Sequence, residues 1–176
     1  MSHFFWQGCL HPLLVPAHLL VLLALGLLLG QQTPSTIRTS LVVYVAGLGS
    51  ALFLTRVLPR MEQSELSLLI LALSLGLLVI LKLRINLALI VTLSISASLL
   101  IGLDSRVSAL PGLDASKIYL QLLGIAFSAS LLLSLLALIS FYLNKLLAGI
   151  AVRIIGAWVT AGSLMVLALL LHELIS

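Results

Sequence analysis

The sequence predicts an all-α, polytopic membrane protein, a bundle of about six transmembrane helices. Two observations carry this. Charged residues make up 8% of the chain and hydrophobic residues 62%, a balance that cannot cover a water-facing surface of ordinary size. The apolar residues also fall in continuous runs near the roughly 20 residues that a helix needs to cross the hydrocarbon core, where the backbone must satisfy its own hydrogen bonds.

The runs cover residues 13–30, 40–57, 65–81, 85–102, 117–143 and 149–172. The first ends at Gln31-Gln32-Thr33-Pro34-Ser35, a polar stop followed by proline. Charge gathers around Pro59 between Arg56 and Glu62 and ends the second. Lys82 and Arg84 bracket a turn so short that the third and fourth spans form an antiparallel hairpin. Pro111-Gly112, a turn signal, interrupts the segment from Asp104 to Asp114, and Asn144-Lys145 closes the fifth span.

Residues 1–176 are therefore expected to form a single transmembrane domain. The first span is expected to be retained, because Met1 to Leu10 contains no Lys or Arg and no small-residue cleavage site follows the apolar run. One cysteine, Cys9, excludes an internal disulfide. There is no nucleophile with a base, no carboxylate pair and no phosphate-binding glycine loop, so the chain does not read as an enzyme; Asp104 and Asp114 are expected to be solvated loop charges. The expected surroundings are a lipid bilayer, in a bacterial inner or internal membrane, with no nucleic-acid partner.

Six spans place both termini on one side of the membrane. Arg38, Lys82, Arg84, Lys145 and Arg153 fall on the opposite side; Arg56, Arg60, Arg106 and Lys117 fall with the termini, as do all the acids, Glu62, Glu65, Asp104, Asp114 and Glu173. Five basic residues against four favour termini outside the cytoplasm. His3, Cys9, His11, His18 and His172 then lie on or near that extracytoplasmic side.

Imidazole suits nickel, cobalt, copper and zinc, and a histidine inside a lipid-embedded span is a functional candidate by default. His11 and His18 are the candidate metal ligands, with Cys9 as a soft extra. Seven residues of regular helix would separate the two histidines by roughly 10 Å along the axis, too far for one ion. Pro12 and Pro16 deny this stretch regular hydrogen bonding, however, and a bent start would bring His11 back toward His18. Alternatively, His18 bonds a serine of a neighbouring helix, and His172 is an interfacial residue at a helix end.

The stretch Phe5-Trp6-Gln7-Gly8-Cys9-Leu10-His11-Pro12-Leu13-Leu14-Val15-Pro16-Ala17-His18 resembles the first helix of the HupE/UreJ family, hydrogenase and urease accessory proteins regarded as nickel or cobalt permeases. The family pattern is His-Pro-x-x-Gly-x-Asp-His. This chain keeps both histidines and the proline, but has Val15 at the glycine position and Ala17 at the aspartate position. Glu62 or Glu65 leading into the third span, residues 119–127 of the fifth, and Arg153 with Gly156 and Gly162 of the sixth are similar to the family's pattern. The resemblance implies six spans and a nickel or cobalt ion as cargo. The family's further histidines near the end of the fourth helix and in the fifth are missing, and without an aspartate at Ala17 the expected metal site is a reduced one.

Small residues at four-residue spacing supply a packing code: Gly47 on the second span, Ser94, Ser98 and Gly102 on the fourth, Ser130 and Ser134 on the fifth, and Gly156 and Thr160 on the sixth. Three functional classes follow. The first is a nickel or cobalt permease or its accessory. The second is a non-transporting subunit of a larger membrane protein complex or homo-oligomer. The third is a tetrapyrrole-binding subunit, with His18 or His172 as axial ligand.

Overall fold

The computed structural model describes residues 2–55, 64–83, 85–105 and 115–175. Among them are seven helices: α1 (Ser2–Leu14), α2 (Pro16–Gly30), α3 (Pro34–Leu54), α4 (Ser64–Leu81), α5 (Leu87–Asp104), α6 (Ala115–Leu146) and α7 (Ile150–Ile175). Helices α3 to α7 are each long and apolar enough to cross a membrane, and α1 with α2 makes a sixth span, broken by a bend of 72°. The chain is an integral membrane protein built as an all-helical bundle. The first span starts earlier than the expected run over residues 13–30, because the residues before it are already helical. The predicted breaks at Glu62 and at Asp114 lie outside the described residues.

The break in the first span is made by Pro16. Its ring excludes the helical conformation at the residue before it, so Val15 is extended (φ −92°, ψ 109°), while Pro16 itself is well placed to open α2. Proline also starts α3: Pro34 follows Thr33, whose hydroxyl accepts from the Thr36 amide, so this helix begins six residues earlier than the apolar run. Asn86 caps α5 in the same way through the Leu89 amide.

Helix α2 is the centre of the bundle and touches every other helix. Leu22, Leu25, Leu28 and Leu29 are fully buried, which explains an apolar run with no polar face. The remaining helices pair around it through small residues. A side chain on Gly47 of α3 would strike Ser98 of α5, and one on Gly102 of α5 would strike Ala51 of α3, so these two helices run parallel in close contact. Gly76 of α4 meets Thr160 of α7, and Gly156 of α7 meets Val79 of α4, an antiparallel pair. Gly26 and Gly30 of α2 lie against Leu136 and Ser140 of α6. On α6 the close approaches fall at Gly124 and Ser140, whereas Ser130 and Ser134 are half-buried and Ser134 bonds back to the Ser130 carbonyl.

At 32 residues, α6 is roughly 48 Å long, beyond the ~30 Å of hydrocarbon, and offers a docking surface to α1 as well as to α2. Gly8 of α1 sits on the Gln121 carbonyl and Gly124 of α6 on the Phe5 carbonyl, so the two backbones meet with no side chain between them. Ser128 Oγ donates to the Cys9 carbonyl at 2.6 Å. The Lys117 ammonium lies 5.9 Å from the Phe4 ring centroid, adding a cation–π contact.

At the opposite end the last carbonyls of α4, which have no partner within the helix, are held from outside. Gln31 Nε2 donates to the Val79 carbonyl at 3.0 Å and Arg153 Nε to the Ile80 carbonyl at 2.9 Å. Lys82 Nζ donates to the Ala148 carbonyl in the turn before α7, where Gly149 adopts a φ of +84° that favours glycine.

Candidate metal centre

The bend between α1 and α2 brings the two histidines together. Their rings meet edge to face with centroids 5.4 Å apart, where a straight helix would hold them roughly two turns apart. His18 is fully buried at the start of α2, and His11 is half-buried one turn before the end of α1. Docking of Gly8 against α6 fixes the direction of α1, and with it the position of His11.

A carboxylate reaches this pair from another part of the chain. Asp104, the last residue of α5, accepts a hydrogen bond from His18 Nε2 at 2.8 Å through Oδ2. Its Oδ1 accepts from the hydroxyl of Ser64 at the start of α4. Asp104 was expected to be a solvated loop charge; instead it closes the helix and joins α2, α4 and α5 at one point. The expected serine partner of His18 is likewise replaced by this aspartate. The position left empty of charge by Ala17 is supplied from α5.

The donor arrangement has a chemical consequence. With Nε2 carrying the proton that Asp104 accepts, His18 Nδ1 keeps its lone pair, and this atom is buried without a hydrogen-bond partner. His11 Nε2 is also buried and unpartnered. A histidine whose far nitrogen donates to a carboxylate is the usual form of an oriented metal ligand, since the carboxylate fixes the tautomer and raises the basicity of the free nitrogen. Imidazole nitrogens of this kind suit nickel, cobalt, copper and zinc alike.

A chain with a broken first span, paired histidines and six spans in this order matches the family model described as HupE / UreJ protein over residues 1–166. The chain belongs to the HupE/UreJ family. No curated protein and no solved structure matches it.

The remaining cysteine and histidines of this HupE/UreJ protein do not join the pair as a ligand set. Cys9 lies on α1 where its backbone carbonyl serves Ser128, and among the described residues no three His, Cys, Asp or Glu side chains assemble as a ligand set. His172 is exposed near the end of α7, and His3 is exposed with its ring against Phe4. Asp104 and Ser64 were missed by sequence reasoning. The available signal was an acid at the very end of an apolar run, on the side of the membrane shared with the histidines.

Proposed function

We propose that this HupE/UreJ protein captures a divalent nickel or cobalt cation at the His11–His18 pair and passes it across the membrane. The observation that carries the reading is the pair itself: two imidazoles 5.4 Å apart, each with a buried free nitrogen, one of them oriented by Asp104. Two nitrogen donors leave the remaining positions of the ion to water. Such a site holds its cargo weakly enough to release it, which conduction requires. The Asp104 carboxylate offsets part of the cation's charge in a low-dielectric setting.

The orientation that fits is the one with both termini outside the cytoplasm, so that Asp104, whose side chain is 22% exposed, faces the source of the ion. Lys82 and Arg153 then lie on the cytoplasmic side, in line with the positive-inside rule. Reporter fusions at Ser2 and in the turn near Lys82 test this directly, with opposite signals expected.

The deciding experiment is nickel and cobalt uptake by cells expressing the chain, beside the double variant His11→Ala, His18→Ala and an empty vector. Uptake that depends on the histidines is the expected result. Uptake at the vector level, with the protein present and folded in the membrane, overturns the reading. That outcome favours a non-transporting subunit of a larger complex, a role consistent with the two-histidine site lacking a third ligand among the described residues. The tetrapyrrole reading has less support, because His11 lies against His18 with ring centroids 5.4 Å apart and His172 stands exposed at a helix end.

A further inference from the structure

Two hydroxyls deep in the bundle have no partner. Ser40 and Tyr44 of α3 are both fully buried, and neither Ser40 Oγ nor Tyr44 Oη makes a hydrogen bond. Residues four apart share a helix face, and a long helical side chain leans toward the helix N-terminus, so Tyr44 extends over the turn that carries Ser40. A buried polar group without a partner is uncommon and calls for an explanation, of which an ion or water is one.

The parallel pairing of α3 with α5 places a third oxygen beside them. Gly47 is level with Ser98 and Ala51 with Gly102, a constant offset, which sets fully buried Ser94 level with Val43, between Ser40 and Tyr44. The Ser94 hydroxyl donates its proton to the Ile90 carbonyl of its own helix. The hydroxyls of Ser98 and Ser105 are likewise bonded back, to Ile95 and Ile101, so each keeps lone pairs free. Oxygen acceptors therefore recur at Ser94 and Ser98 on the face of α5 that meets α3.

By the same offset Asp104 is level with Phe53, so Tyr44 and Ser40 lie roughly 14 and 20 Å along the axis from it. They cannot belong to the histidine site. We infer that Ser40 and Tyr44, with Ser94, form an inner oxygen-lined station that receives a partly hydrated divalent cation after it leaves the histidine pair. The inference rests on the proposed transport. Hydroxyl oxygens accept hydrogen bonds from the ion's remaining water or contact the ion itself, and as neutral groups they hold it loosely.

The test uses Tyr44→Phe and Ser40→Ala, each of which removes one unpartnered oxygen and little else. Nickel uptake and nickel binding by the purified full chain are measured for the double variant. The expected result is uptake at least tenfold below wild type with a nickel midpoint within twofold, because His11, His18 and Asp104 are untouched. Thermal stability should be equal or higher, since an unpaired buried hydroxyl stabilises nothing. Uptake within twofold of wild type overturns the station, as does a nickel midpoint that shifts with uptake. Wild-type uptake that ignores the histidines overturns the proposed function and the station together. If the double variant fails to reach the membrane, the Tyr44→Phe single variant decides by the same criteria.

Discussion

His18 and Asp104 are 86 residues apart in sequence and joined by a 2.8 Å hydrogen bond from Nε2 to Oδ2. The bond ties the broken first span to the end of α5 and decides which nitrogen of His18 is free. Replacing Asp104 by alanine leaves Nε2 without its acceptor and releases the ring. Nickel affinity is expected to fall about 10–100-fold, the usual effect of removing an orienting partner from a metal-bound histidine. Asp104→Asn, which keeps an acceptor and loses the charge, is expected to fall between. Nickel titration of the purified protein checks the order; equal affinities for all three would remove Asp104 from the site.

The contact of Gly8 with Gly124 makes a separate prediction about geometry. A side chain at Gly8 would overlap the Gln121 carbonyl, and flexible atoms are not available there to move aside. Gly8→Leu is expected to lift α1 from α6 and carry His11 away from His18, while α2 to α7 keep their packing. Overpacking of this kind costs about 1–3 kcal/mol. Loss of nickel binding with only a moderate drop in melting temperature is the expected pattern, and unchanged nickel binding would show that α1 is not positioned by this contact.

How much was legible in the sequence can be read from these same residues. The spans were visible because lipid imposes length and composition on every segment, and five of the six runs correspond to single helices. The approach of His11 to His18 was also legible, since proline acts on its own neighbours. The partner of His18 was not. A tertiary hydrogen bond across 86 residues leaves no local pattern, and Asp104 read as one more polar residue after an apolar run. The small residues behaved in the same way. Gly47, Gly102 and Gly156 are where backbones approach closely, but on α6 the periodic serines at 130 and 134 lie beside the contact made by Gly124 and Ser140. Spacing gives a helix face; which face meets a neighbour depends on how the whole bundle closes.

At the far end of the bundle, Arg153 is expected to matter for stability and not for the metal. Its Nε donates to the Ile80 carbonyl, one of the unpaired carbonyls at the C-terminal end of α4, where a positive charge is also favoured by the helix dipole. The side chain is exposed, so its loss is expected to cost only about 1 kcal/mol. Arg153→Met should lower the melting temperature in detergent slightly and leave the nickel midpoint unchanged. A shift in the midpoint would mean that the two ends of the bundle are coupled.

Ser64 offers the finest test of the aspartate's role. Its hydroxyl donates to Asp104 Oδ1 while His18 occupies Oδ2, so the two donors hold the carboxylate from α4 and α2. If Ser64 acts only by holding Asp104, then Ser64→Ala removes one hydrogen bond, about 1 kcal/mol, and weakens nickel binding by less than tenfold. The same substitution made in the Asp104→Ala background should change nothing further, because the group it holds is gone. A double-mutant cycle measures this, with a coupling energy close to the whole single-mutant effect as the expected outcome. Additive losses would instead place Ser64 in direct contact with the ion or its water.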